Sequence, residues 1–309
     1  MKTTHFDPEK RIYGILYAMV TAVLWGFLAI MIKVAVVQID PVTLVWFRFL
    51  TAFIFLFTWF LIKDPGKLRI FFKPPIILII ASLGLIINYI GYAKGIDYTT
   101  PGTAQVFIQL GPILLAVAGV VIFKERLSIR QAFGFLVAGI GFIVFYNEQL
   151  AQILQGENIF YRGIIWLITG SLTWNVYSIF QKKLVQMYQP QQLNLIIYFI
   201  PVIVLLPFIH LQSFSGLGMG NWVLLVVLGL NTLIAYGTLA EAFKYVEANK
   251  VSIIITLNPI ITFGTITILA ALQVDWVDVE SISVIGFAGA VLVIIGAILV
   301  ILPKRLRKS

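Results

Sequence analysis

The chain contains no cysteine, which excludes disulfides, thiol nucleophiles and cysteine-based metal sites together. It has two histidines, His5 in the N-terminal tail and His210 at a predicted helix end, so a buried histidine relay is excluded and no metal ligand set has usable spacing. Charge is scarce: 11% of the 309 residues are Asp, Glu, Lys or Arg, against about 25% in a soluble domain. No Gly-x4-Gly-Lys-Ser/Thr loop is present, so the chain has no phosphate cradle for direct ATP drive. Strand-length alternation is missing, which argues against a β-barrel. Asn-x-Ser/Thr is absent too, and no connection is long enough for a soluble domain.

Apolar sequence fills the remainder. Sixty per cent, 60%, of the residues are hydrophobic. They lie in blocks of about 20, enough to cross ~30 Å of hydrocarbon as helices. Ten spans are predicted, at 12–36, 42–62, 74–96, 101–123, 129–147, 160–182, 191–211, 221–245, 250–272 and 281–302. The first block follows a charged decapeptide, is too long for the apolar part of a signal peptide and lacks a small-residue cleavage site, so it is expected to remain as a helix.

The formal net charge of +9 points to topology rather than to nucleic acid. All the basic residues except Lys33, Arg48, Lys94 and Arg162 fall at the termini or in alternate loops: Lys2, Lys10 and Arg11; Lys63, Lys67, Arg69 and Lys73; Lys124, Arg126 and Arg130; Lys182 and Lys183; Lys244 and Lys250; Lys304, Arg305, Arg307 and Lys308. The other loops hold Asp40, Asp97, Glu148, Glu157, Asp275, Asp278 and Glu280. Basic loops stay cytoplasmic, so both termini are expected inside. The compact loops and missing glycosylation sites suit a bacterial inner membrane, a plasma membrane crossed many times.

The first half recurs loosely in the second. Trp25 and Lys33 are matched by Trp174 and Lys182, and Tyr92-Ala93-Lys94 … Tyr98 … Gly111-Pro112 by Leu239-Ala240-Glu241 … Tyr245 … Asn258-Pro259. Gly134 … Gly141 is answered by Gly289 … Gly296. The halves are expected at 1–147 and 160–309, joined by an outer connection at 148–159. Five spans per copy make the second copy enter from the opposite side. The fold class expected is all-α integral membrane, ten transmembrane helices as two inverted five-helix repeats, the architecture of a carrier that opens alternately to each face.

The first copy holds Trp25-Gly26, Pro41 … Arg48-Phe49, Tyr98-Thr99-Thr100-Pro101-Gly102-Thr103-Ala104 … Gly111-Pro112 and Lys124-Glu125-Arg126-Leu127-Ser128 before a glycine-spaced fifth span. Over essentially the whole chain this resembles the EamA family of the drug/metabolite transporter superfamily. The second copy departs from the pattern: Gln273-Val274-Asp275-Trp276-Val277 replaces the basic motif, and Ile197 stands where Arg48 would recur. The resemblance implies a ten-helix, exporter-like carrier with a central cavity. Members of the family carry amino acids, other small metabolites and drugs.

Depth counted at about 1.5 Å per residue puts Trp25 and Trp174 near the midplane, Lys33, Lys94, Lys182 and Glu241 at the edges, and Arg48 about 10 Å in from the outer surface. The edge lysines are expected to snorkel. The midplane set is Trp25, Asn88, Tyr89, Gln109, Trp174, Asn175, Tyr177, Asn231, Tyr236, Thr256 and Asn258. These residues either bond neighbouring helices or line a mostly apolar pocket with a few orienting groups. Such a pocket suits neutral or zwitterionic organic molecules, or an organic cation on an aromatic face; an anionic sugar phosphate would want several central cations. Arg48 is open to structural pairing or to an anionic group, and Glu241 is the candidate for proton coupling, against pairing with Lys244 or Lys182. Pro112 and Pro259, like Pro201 and Pro207, are expected to bend their spans, the first two as hinges. The glycines of spans five and ten suit close packing or a homodimer contact. The function expected is a secondary carrier exporting small organic metabolites, amino acids first among them, with no cofactor and with a small-molecule substrate and the lipid bilayer as partners. A lipid or lipid-linked sugar flippase is the alternative; a membrane enzyme would need clustered acid, base or metal ligands.

Overall fold

The structure, a computed structural model, describes residues 10–148, 150, 158–274 and 283–302, and among them there is no strand. Lys2, His5, Glu157, Asp275, Trp276, Val277, Asp278, Glu280, the basic run 304–308 and most of the 148–159 connection lie outside the described residues. Twelve α-helices are labelled here: α1 Arg11–Val36, α2 Pro41–Lys63, α3 Ile76–Tyr98, α4 Pro101–Ile108, α5 Leu110–Val121, α6 Ile129–Phe145, α7 Asn158–Leu184, α8 Pro190–Leu205, α9 Met219–Tyr245, α10 Ala248–Ile255, α11 Asn258–Ala271 and α12 Val284–Ile301. Consecutive pairs α4–α5 and α10–α11 each make one crossing. Among the described residues nine crossings are long and apolar enough to span a membrane, and α6 is a shorter apolar helix. The protein is a ten-helix, multi-pass membrane protein.

Local chemistry marks the helix ends. The Asp40 carboxylate accepts from the N–H groups of Val42 and Thr43, and Pro41 opens α2, where a missing N–H does no harm. Thr100 caps α4 through Thr103, and Ser128 with Gln131 forms a capping box on α6. The seventh span is shorter than expected, because Pro207 lies in a short 3-10 turn, Leu206–Phe208, that ends α8.

Two of the three edge lysines, Lys33 and Lys182, depart from the snorkelling expected, while Lys94 lies over the Trp166 ring. Lys33 Nζ donates to the carbonyls of Thr99 at 2.7 Å and Ile96 at 3.1 Å, at the end of α3. Its repeat mate Lys182, buried at 4% exposure, donates to the carbonyls of Phe243 and Val246 at the end of α9. The last carbonyls of a helix lack intrahelical partners and carry partial negative charge, so a lysine on the adjacent span is drawn onto them instead of outward.

Helix pairing is unchanged when the two halves are exchanged. Helix α3 packs on α7 as α9 packs on α1, and α2, α6 and the α4–α5 span each meet their own counterparts α8, α12 and α10–α11. A pseudo-two-fold axis therefore relates the halves. Glycine makes the tightest crossings. A Cβ on Gly91 would lie 2.6 Å from the Trp166 carbonyl, and one on Gly141 would lie 2.9 Å from the Gly289 carbonyl, with the reverse contact at 2.7 Å. Gly134 and Gly141 of α6 and Gly289 and Gly296 of α12 thus pack against one another within the chain, whereas a Cβ on Gly139 would meet nothing within 4 Å. Outward faces stay apolar, as with Ile54, Phe55 and Trp59 of α2.

Candidate functional site

At the centre of the bundle a cavity of about 50 Å³ is lined by Trp25, Arg48, Asn88, Tyr89, Gln109, Pro112, Trp174, Tyr236 and Asn258, with Leu28, Tyr92, Ile108 and Gly111. That is room for roughly three to five waters.

The walls come from both repeats. Trp25 and its mate Trp174 meet edge to face with ring centroids 6.0 Å apart. Tyr89 and Tyr236, 147 residues apart and so also mates, meet at 5.5 Å. Trp25 touches Tyr236 at 5.4 Å. Mates that touch one another must lie beside the pseudo-two-fold axis, so the axis runs through the cavity. Offset and edge-to-face ring contacts of this kind hold the walls in place.

The two interrupted crossings meet at the same place. Gln109 separates α4 from α5, and Thr256 and Leu257 separate α10 from α11. Gln109 Nε2 donates to the Thr256 carbonyl at 3.3 Å and to Asn258 Oδ1 at 3.4 Å, so one break holds the other. Pro112 and Pro259 interrupt their crossings: neither can donate to the carbonyl four residues back, and α4 ends at Ile108 and α10 at Ile255. Pro112 is the third residue of α5 and Pro259 the second of α11, in first turns, where proline is tolerated. The break precedes each proline. Ser252 of α10 donates to the Pro112 carbonyl, a further tie between the halves.

Four residues of the midplane set stand behind the wall. Tyr177 packs on Tyr236 at 5.3 Å and is fully buried. Asn231 Nδ2 donates to the Leu24 carbonyl, and Asn175 Nδ2 to that of Ser171. Thr256 donates from its hydroxyl to the Ile253 carbonyl. These are bonds within or between helices, the alternative that residue type alone left open. Glu241 lies away from the cavity, accepting from Gln191 Nε2 at 3.1 Å. Tyr92 and Leu28 were missed by sequence reasoning, although Tyr92 lies one turn after Asn88 and Leu28 three residues after Trp25, on the same faces.

Arg48 changes the electrostatics of the site. Counted along the backbone, its Cα lies about 10 Å in from the outer surface, short of the middle. Its long side chain instead reaches the cavity that Trp25 and Trp174 line. The guanidinium carbon sits 4.5 Å from the centre of the Tyr89 ring, Nε donates to Thr232 Oγ1 at 3.2 Å, and the residue is 2% exposed. Among the described residues no carboxylate is within ion-pair distance of it, and no acidic side chain lines the cavity.

Comparison with known proteins agrees with this geometry. The model of the EamA-like transporter family matches residues 12–147 and again residues 161–302. The chain is 33% identical over 287 residues to the uncharacterized inner membrane transporter YhbE of Escherichia coli K12, covering 92% of this chain and 89% of that protein. It is 30% identical to an uncharacterized transporter of Haemophilus influenzae, covering 96% and 97%. It is 25% identical to a protein of Salmonella typhimurium named "Probable amino-acid metabolite efflux pump", covering 94% and 96%. A solved crystal structure superposes with a TM-score of 0.71 at 19% identity, covering 96% of this chain and 100% of that one, a likeness of fold alone.

Proposed function

The chain belongs to the EamA-like transporter family, and from that premise we propose that it is a secondary carrier exporting small organic metabolites of the amino-acid class through the central cavity by alternating access. One observation carries the reading: the mates Trp25 and Trp174, and Tyr89 and Tyr236, face each other across the cavity. A site on the axis between inverted halves keeps its walls when the halves exchange conformations. The opening then passes from one face to the other around a fixed site. The name of the Salmonella relative supports the cargo class and the outward direction. The distribution of basic loops supports a cytoplasmic location for both termini. The inner-membrane naming of the E. coli relative supports that membrane.

The test is uptake and efflux of labelled amino acids and their derivatives in proteoliposomes. Trp25→Ala and Trp174→Ala, each checked for intact folding by its elution in detergent, are expected to cut the rate at least tenfold, about 1.4 kcal/mol of lost interaction. Unchanged rates in both variants would remove the cavity from the transport path.

A further inference from the structure

We infer that the cargo carries one carboxylate and a net negative charge, and that Arg48 is the residue that selects it. The inference rests on the carrier reading above and shifts its cargo from the amino acid itself to a monocarboxylic acid derived from one. Arginine cannot shed its proton in a protein, and leaving a charge unpaired in an apolar interior is expensive. Yet Arg48 is 2% exposed, faces the cavity and has no carboxylate partner among the described residues. Its hydrogen bond to Thr232 and its position over Tyr89 orient the guanidinium but neutralise nothing. The planar fork that remains is matched by a carboxylate, which it can hold with two parallel hydrogen bonds.

Symmetry makes the same point. The walls are built from mates, but the mate of Arg48 is Ile197, a fully buried residue whose carbonyl accepts from Ser82. The second half thus packs an apolar side chain where the first carries a charge. Half-helices α5, from Leu110, and α11, from Asn258, also begin beside the cavity, whose lining includes Gly111 and Asn258, and helix starts favour anions.

The missing acid decides between a zwitterion and an anion. An amino acid would bring an ammonium group that finds ring faces and amides but no carboxylate in the lining. An acid whose amino group is absent, acylated or oxidised meets one cation with one anion, and its apolar body lies against Trp25, Trp174 and Tyr236.

The test uses the purified full chain and three probes with one branched alkyl body: 4-methylpentanoate, leucine and 3-methylbutylamine. Binding is read by quenching of tryptophan fluorescence and by thermal stabilisation. The expected order is acid over zwitterion by about tenfold or more, with the amine weakest. Arg48→Gln is expected to weaken the acid about 30-fold or more, the usual result of removing one partner of a buried charge pair. Arg48→Lys, which keeps the charge and loses the fork, is expected to fall between. Leucine binding as tightly as the acid, or Arg48→Gln binding the acid like wild type, would overturn the inference. So would the absence of binding by all three at millimolar concentration; transport of another cargo would then leave the carrier reading standing.

Discussion

Gly289→Ala adds a single methyl group at the crossing of α6 and α12. Its Cβ would stand 2.3 Å from the Phe145 nitrogen, 2.7 Å from the Gly141 oxygen and 2.7 Å from the Phe145 Cα. All three neighbours are backbone atoms, so no side chain can rotate away, and the helices themselves must separate. Overpacking of this kind costs about 1–3 kcal/mol. Alanine in a helix interior returns about 0.5–1 kcal/mol of that through lower backbone entropy. The net expectation is a loss of roughly 0–2.5 kcal/mol, centred near 1 kcal/mol. Gly139→Ala is the internal control, because a Cβ there has nothing within 4 Å although it lies on the same helix as Gly141. It should be neutral or slightly stabilising. Thermal unfolding in detergent, followed by loss of the monodisperse species, compares the two variants. Gly141→Ala, at the mating position of the same contact, should destabilise as Gly289→Ala does. The double variant should lose less than the sum, since helices already parted admit the second methyl more cheaply. If Gly289→Ala proved as stable as Gly139→Ala, α6 and α12 would not be in backbone contact, and the glycine argument for a crossing closed within one chain would fail.

Two further variants probe polar ties at the helix ends. Asp40→Ala should destabilise the start of α2 by about 1 kcal/mol at neutral pH, and the deficit should fade in acid. Burial works against the Asp40 carboxylate, but the hydroxyl and N–H of Thr43, with His210 and Ser213, outweigh it and hold its pKa below the ordinary 3.8. A lowered pKa means stability that is present above 3.8 and lost as pH falls through the folded value, so melting curves of wild type and variant should converge there. A deficit that persisted in acid would refute the charge-based account. Glu125 of the family motif accepts from the N–H groups of Ala248 at 2.6 Å and Asn249 at 3.0 Å, joining the loop before α6 to the first turn of α10 in the other half. Glu125→Gln keeps the shape and removes the charge that favours a helix start, and should lower stability by about 0.3–1 kcal/mol in the same melting assay. No change would show that this tie between the halves is immaterial.

The crossings, their approximate ends and the repeat were legible in the sequence because a bilayer imposes length and apolarity on every span, and because mates such as Trp25 and Trp174 or Gly134 and Gly289 keep their spacing. Part of the cavity was legible for a related reason: amides and aromatic rings are costly against lipid, so Asn88, Tyr89, Gln109 and Asn258 had to face inward. Residue type could not say which inward group meets a neighbouring helix and which meets empty space. Asn175, Asn231 and Thr256 are held by carbonyls of nearby turns, while Asn258 is left beside the cavity. Counting residues along a helix locates Cα atoms and says nothing of where long side chains end. Lys33 and Lys182 therefore needed the structure to show them on the carbonyls of α3 and α9. For the same reason Arg48, counted to about 10 Å in from the outer surface, reaches the cavity: α2 sets its depth, but Tyr89 of α3 and Thr232 of α9 set its direction.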